Sequence, residues 1–253
     1  MNNILVINNI IKDEENEYLI IKDNVITFKK SCDYNIYYDS VSEIDIKIIL
    51  LDNVYVKLFE YMVDSNVKSN IIYELSDNSN LLLYKFYAND MVCENVIINL
   101  NGYMSKINYN FSNICKKEDN YNIIINHNNS NSISDINNRT ICLDNASVCY
   151  NIDTIVENGI KKCDMNQDTR VINLSDNHSV IRPNMYISED DVNARHSSVI
   201  GNFNEEDLFY LMARGINYEN AIKLLIKGYI FSNLIVDMDK RNKILNIINM
   251  YWR

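Results

Sequence analysis

The side chains in this sequence best suited to binding a transition metal are three histidines and six cysteines. The histidines are His127, His178 and His196, and the cysteines are Cys32, Cys93, Cys115, Cys142, Cys149 and Cys163. No two cysteines form a C-x-x-C pair, so the spacing typical of a zinc site or a ferredoxin-type cluster is absent. Three scattered histidines also exclude a His-rich metal site. We therefore expect free thiols in a reducing compartment and only isolated metal ligands on this chain.

The sequence motifs of several common enzyme classes are absent. There is no G-x-x-x-x-G-K-[ST] for nucleotide phosphates and no G-x-G-x-x-G for a dinucleotide. A G-x-S-x-G nucleophile elbow and an H-E-x-x-H zinc motif are also missing. We expect no nucleotide to bind this chain, so any ATPase activity coupled to it must belong to another polypeptide.

The charge balance excludes two classes of partner. Acidic residues outnumber Lys plus Arg by 34 to 24, which gives a formal net charge of −10. Nucleic acids and anionic membranes both attract clustered positive charge, so neither is expected as a partner. No apolar run approaches the ~18 residues of a membrane span. The N-terminal residues lack the cationic and apolar regions of a secretory signal, and we therefore expect a cytoplasmic protein.

Most of the chain has the alternating pattern of half-buried strands. Ile44, Ile46 and Ile48 alternate with polar residues, and the same period of two recurs at 54–58, 96–100 and 107–111. Polar, Asn-rich segments separate these runs. Because Gly is rare, with 5 in the chain, we expect Asn to supply most turn residues at positive φ. The spacing fits a sandwich, a barrel or a solenoid of parallel strands, and periodicity cannot choose among them.

The last part of the chain is predicted to be helical. Asn204 and Asn217 are good N-caps for helices over 204–214 and 217–235, and a third helix is predicted over 239–252. The residues expected to be buried on these helices are Leu208, Phe209, Leu211, Met212, Ala221, Leu224, Leu225, Ile244, Ile248, Tyr251 and Trp252.

Two segments, 164–176 and 183–229, carry the most specific motifs. The later one resembles P-x-L-x-I-x-x-D-D-V, then a His or Cys segment, then G-x-L/I-D-E-x-x-L-F-Y-L-x-S-R-G-I-x-x-x-x-A. Its matching residues are Pro183, Ile187, Asp190, Asp191, Val192, His196, Gly201, Glu205, Leu208, Phe209, Tyr210, Leu211, Arg214, Gly215, Ile216 and Ala221. The earlier one resembles D-x-x-Q-x-x-R-x-L-L-L-S-D through Asp164, Gln167, Arg170, Leu174, Ser175 and Asp176. Both patterns are those of the SufB/SufD family of iron–sulfur cluster assembly scaffolds, which this chain resembles.

The resemblance implies a fold, and it selects among the three β architectures. The family core is a right-handed parallel β-helix, so the chain is expected to be mainly β, with a β-helix core over 1–198 and a C-terminal helical region over 199–253. Asp190 and Asp191 are expected to form a turn. Gln167 and Arg170 are expected to maintain corners of the β-helix. His127, His178 and the cysteines are expected to be structural.

The resemblance also implies a function. Members of the SufD type carry a His shortly after D-D-V, where the SufB type carries Cys, so His196 makes this chain resemble a short SufD. Such a subunit is a non-catalytic scaffold. It pairs with a SufB-type subunit and binds a SufC-type ATPase through its C-terminal helices. His196 is the implied iron–sulfur cluster ligand at the subunit junction, where the cluster is held transiently and shared with the partner.

Three alternatives stay open at this point. A SufB-like scaffold would form homodimers, although Ala194 stands where a junction Cys would be expected. A β-helix enzyme acting on polysaccharide would need paired carboxylates or a calcium site, which the β region does not obviously provide. The third alternative is an interaction solenoid without metal chemistry.

Overall fold

The computed structural model describes residues 2–12, 15–63, 65–176 and 178–251. The strands of these segments are β1 (Asn2–Ile7), β2 (Ile10–Lys12), β3 (Leu19–Lys22), β4 (Val25–Phe28), β5 (Cys32–Asp39), β6 (Glu43–Leu50), β7 (Tyr55–Val63), β8 (Asn66–Leu75), β9 (Asn80–Ala88), β10 (Met91–Leu100), β11 (Lys106–Cys115), β12 (Glu118–His127), β13 (Ile133–Cys142), β14 (Ser147–Val156), β15 (Cys163–Asn173), β16 (Val180–Ile187) and β17 (Val192–Gly201). The helices are α1 (Glu205–Ala213), α2 (Tyr218–Phe231) and α3 (Met238–Tyr251).

From β4 onwards, consecutive strands alternate between two sheets. From β5 onwards, each strand pairs in parallel with the strand of its own sheet one turn earlier. One sheet, sheet A, has the order β17-β15-β13-β11-β9-β7-β5-β1-β2, and the other, sheet B, has the order β16-β14-β12-β10-β8-β6-β4-β3. The result is a parallel β-solenoid of about six turns, so the predicted β-helix is confirmed. Its first turn is closed by two antiparallel pairs, β1 with β2 and β3 with β4.

The solenoid core follows from the alternation in the sequence. Ile44, Ile46 and Ile48 are buried as predicted, and in-register pairing stacks such side chains into columns that run through the turns. Stacking one apolar side chain on another removes both from water at every turn. The prediction for the corners is also confirmed, because six of the ten described non-Gly residues at positive φ are asparagines: Asn8, Asn9, Asn53, Asn78, Asn131 and Asn145.

Helices α2 and α3 cover part of the outer face of sheet A. Ile226 and Ile230 of α2 and Ile244 of α3 belong to one buried cluster with outward-facing residues of sheet A, such as Phe59 and Phe86. The segment after α2 is fastened by hydrogen bonds, since Asn233 Nδ2 donates to the carbonyl oxygens of Phe111 and Asn137, at 2.9 Å each. No helix in the described part of the chain has the length and apolar character needed to span a membrane.

The predicted helix N-termini are confirmed, but several predicted burials are wrong. The side chains of Asn204 and Asn217 cap α1 and α2 by accepting from the backbone N–H groups of Glu206 and Asn220. Helix α1, however, has no buried residue. Phe209 and Met212 are exposed instead of buried, as is Leu224 of α2. Trp252 lies outside the described residues.

Strand β17 ends at Gly201 and α1 begins at Glu205. The division of the chain into two domains, a core over 1–198 and a helical region over 199–253, remains a prediction.

All six cysteines are free thiols.

Candidate functional site

His196 lies in the middle of β17, the last strand of sheet A. It pairs with Gln167 of β15, which in turn pairs with Ile136 of β13. Gln167 and Ile136 are both buried in the core. Because in-register parallel strands place paired side chains on the same face, His196 belongs to this inward-facing column. It is nevertheless exposed, since β17 is the terminal strand of sheet A in the described part of the chain.

The last turn leaves one end of the solenoid open. Among the described strands, β17 pairs with β15 alone and β16 with β14 alone, so each presents one backbone edge that no described strand pairs with. Ile200 pairs with the buried Val171 and therefore faces inward, yet 41% of its surface is exposed. An open edge of this kind is a template for adding a strand from another chain. Binding a partner there would cover both the edge and the exposed core residues.

Turns around the site are held by backbone and ionic contacts. Arg195, on the outer face of β17, contacts Asp164 of β15 at 3.1 Å between guanidinium and carboxylate. The Glu189 carboxylate accepts from the backbone N–H groups of Gly159, Asp190 and Asp191, and these hydrogen bonds lower its pKa. Asp190 and Asp191 thus lie in a turn before β17, in agreement with the role predicted for them.

The structure corrects the expectation for Gln167 and Arg170. Both lie within β15, away from the corners. Gln167 points into the core, where its Nε2 donates to Thr154 Oγ1 at 2.7 Å. Arg170 is half-exposed and pairs with Asp168 at 3.2 Å. Gln167 and Arg170 are three positions apart in one strand, so their side chains lie on opposite faces of the sheet. The spacing in Q-x-x-R could have shown this, because side chains alternate between the two faces along a strand.

The other two histidines do not join His196. His127 is buried, with its ring nitrogens 2.7 Å from Ser132 Oγ and 2.9 Å from Ser134 Oγ. Burial lowers its pKa to about 4, so it is neutral near pH 7. His178 is exposed in the segment between β15 and β16.

A complete metal site is not assembled within the described segments. They contain no group of three or more His, Cys, Asp or Glu side chains placed to hold a metal ion. Cys115, Cys142 and Cys163 are buried in the solenoid. Of the histidines with exposed side chains, His178 and His196, the one at the open end of the solenoid is His196.

Helix α1 presents a second surface, formed by Phe209, Tyr210 and Met212. Their exposed fractions are 74%, 57% and 44%. Three neighbouring large apolar side chains at such exposure are typical of a contact surface for another protein. We call these three residues the α1 surface.

A comparison with family models decides the assignment. The model described as "SUF system FeS cluster assembly, SufBD core domain" matches residues 46–229, which is more than half of the chain. The chain belongs to the SufBD core family. The match includes most of the solenoid, His196 and helices α1 and α2 up to Tyr229, so the site lies inside the family's core domain.

Curated relatives agree with this assignment over shorter segments. The chain is 38% identical over 88 residues to the iron–sulfur cluster assembly protein SufD of Bacillus subtilis, which covers 34% of this chain and 20% of the relative. It is 48% identical over 48 residues to a SufBD family protein of Mycobacterium leprae, which covers 19% of the chain and 12% of the relative. A SufBD family protein of Pyrococcus horikoshii is 40% identical over 48 residues, which are 19% of the chain and 11% of that protein. The matched segments thus span a fifth or less of each of these relatives.

Proposed function

We propose that this chain is a SufD-like, non-catalytic scaffold subunit of a SUF iron–sulfur cluster assembly complex in the cytoplasm. Membership of the SufBD core family supports the general role. The observation that carries the specific proposal is the position of His196, exposed on the last strand of an open-ended solenoid. A ligand in that position is available to a second subunit that covers the open end.

The proposed partner at the open end is a SufB-type subunit. Pairing a partner strand with β17 would satisfy the unpaired backbone edge and bury the inward-facing residues exposed there, including Ile200. The cluster is the cargo of the complex. His196 supplies an imidazole nitrogen and the partner supplies thiolate, and iron accepts both ligand types. Because the ligands come from two chains, separating the chains would release the cluster.

The proposed driver of that separation is a SufC-type ATPase bound at the α1 surface. The family pattern includes Leu208, Phe209 and Tyr210, and the second and third of these are exposed here instead of packed on the solenoid. ATP binding to the separate ATPase subunit would move the two scaffold subunits relative to each other. The present chain then acts as a rigid arm that transmits the motion.

The first experiment co-expresses the chain with a SufB-type and a SufC-type subunit. We expect His196→Ala to leave the purified complex intact but to lower its iron and acid-labile sulfide at least tenfold. His178→Ala is the matched control, because His178 is also exposed but lies outside the last strand. Equal iron and sulfide in the wild type and in His196→Ala would contradict the ligand role.

The second experiment maps the two docking surfaces. We expect Ile200→Asp to abolish capture of the SufB-type subunit, while Ile10→Asp does not, because Ile10 is 54% exposed at the opposite end of the solenoid. Phe209→Ala with Tyr210→Ala should abolish capture of the ATPase, whereas Tyr103→Ala, at an exposed turn, should not. A stable homodimer through β17 that excludes the SufB-type subunit would favour the SufB-like alternative.

A further inference from the structure

Gln167 carries an unusual buried acceptor beneath the site. Only 1% of its surface is exposed. Its Nε2 atom donates two hydrogen bonds to residues of sheet B, one to Thr154 Oγ1 at 2.7 Å and one to the backbone oxygen of Asn184 at 3.3 Å. Its Oε1 atom has no hydrogen-bond partner among the described residues. A buried acceptor without a donor is costly, so this amide has a strong reason to attract one.

His196 is the donor-bearing side chain nearest to this acceptor in the strand register. The two residues are direct partners across β15 and β17, and both belong to the inward-facing column. Neighbouring strands are separated by about 4.8 Å. Rotation of the imidazole about its side-chain torsions would bring one ring N–H toward the amide oxygen of Gln167.

We propose that Gln167 is the positioning residue for His196, a role that rests on the proposed cluster-binding function of His196. Gln167 Oε1 accepts a hydrogen bond from one imidazole N–H. The hydrogen bond places the ring over the end of the core and fixes which nitrogen carries the proton. The other nitrogen is left with its lone pair free at the open end, where a partner-bound iron can be reached.

The consequence is a fixed tautomer. A solvated imidazole exchanges its proton between the two nitrogens, and only one of the two forms presents the correct lone pair to a metal. An acceptor on one side removes this exchange, which is how ligating histidines are ordinarily oriented. Gln167 suits the role because both of its partners in sheet B already hold the amide in place.

The test is nitrogen NMR on the isolated chain with labelled histidine, recorded near pH 8. Three histidines give three ring systems, and the His196→Gln variant assigns the one of interest. We expect His196 in the wild type to show one pyrrole-like and one pyridine-like nitrogen shift. In Gln167→Met both shifts should move toward the averaged values of an unconstrained ring. In Gln167→Glu, which restores an oxygen acceptor, they should stay separated.

Two controls distinguish positioning from general damage to the core. His127 is held between Ser132 and Ser134, so its ring shifts report core integrity in the same spectrum. Asn138→Val removes another buried amide, on β13 and outside the column of His196, and should leave the His196 shifts unchanged.

Two results would overturn the positioning role. One is a His196 ring that already shows averaged shifts in the wild type, and the other is a Gln167→Met variant with unchanged His196 shifts. Because this measurement needs neither partner nor cluster, it can fail while the complex still assembles clusters. Conversely, His196 could show the expected single tautomer while His196→Ala leaves the iron and sulfide content of the complex unchanged. That combination would reject the proposed function and leave the positioning role intact.

Discussion

Inside the solenoid, the ammonium nitrogen of Lys85 lies 3.0 Å from each carboxylate oxygen of Glu94, and both side chains are fully buried. Tyr87 and Ser69 donate to the same carboxylate at 3.1 and 3.2 Å. Glu60 is 3.8 Å from Lys85, and burial raises its pKa. The stability of this cluster depends on the Lys85–Glu94 ion pair, because removing one partner leaves an uncompensated charge in the core.

Lys85→Met should therefore destabilise the fold strongly. Loss of the ammonium leaves Glu94 buried without its counter-charge, and the expected cost is about 3–5 kcal/mol of unfolding free energy. Urea unfolding followed by circular dichroism measures it. Lys47→Met is the matched control, because Lys47 pairs with Glu74 at 2.8 Å on the surface. It should cost about 1 kcal/mol or less. Equal effects of the two substitutions would contradict the assigned importance of the buried pair.

Asp119 should make stability fall as the pH rises. Its carboxylate accepts from Val92 N at 2.8 Å and from Asn113 Nδ2 at 3.1 Å, but burial dominates and raises its pKa to about 6. The contribution is fully present below the ordinary pKa near 3.8 and is lost as the pH rises through about 6. Relative to Asp119→Asn, the wild type should lose up to about 3 kcal/mol between pH 4 and 6. Urea midpoints across this range test it, and a pH-independent difference would contradict it.

His127 should have the opposite dependence. Its pKa is lowered to about 4 by burial, so the folded state binds fewer protons than the unfolded state between about pH 4 and 6.5. Its contribution is present above pH 6.5 and is lost as the pH falls through about 4. Relative to His127→Gln, the wild type should lose up to about 3 kcal/mol on acidification over this window. Urea midpoints measured over this pH range test the prediction. If the wild type instead gained stability on acidification relative to His127→Gln, the ring would have to become charged in the folded state.

Gly102 should not tolerate a side chain. A Cβ atom there would lie 2.0 Å from the backbone carbon of Ser76 and 2.1 Å from the backbone nitrogen of Asp77, in the adjacent turn of the solenoid. We expect Gly102→Ala to cost at least about 3 kcal/mol or to prevent folding, since backbone must move. Gly228→Ala is the control, because nothing lies within 4 Å of its Cβ position in α2. It should stabilise the protein by about 0.5–1 kcal/mol. Thermal unfolding of both variants decides the matter.

Features that depend on near neighbours in the chain could be predicted. The alternation at Ile44, Ile46 and Ile48 fixes which face of β6 is buried, and Asn204 and Asn217 mark helix starts because the caps are local. The solenoid itself came from the family motifs, since a period of two is common to sandwiches, barrels and solenoids. His196 was identified by the same motifs, and its role as a ligand stays a prediction.

Features that depend on distant neighbours were missed. Phe209 and Met212 have the pattern of a buried helix face but are exposed in the folded chain. Lys85, Glu60 and Glu94 have the charges of surface residues, yet they lie on the inward faces of different strands, where the Lys85 ammonium contacts both carboxylates.

The sequence by itself determined the strand faces, the turn residues, the helix caps and the family of this protein, because each is written in local spacing or in a motif. Only the tertiary structure decided that His196 stands above Gln167 at an open end, that α1 is uncovered, and that a charged cluster is buried. The register between turns brings together residues about 30 positions apart, as with Gln167 and His196. Short-range sequence patterns carry no information about that register.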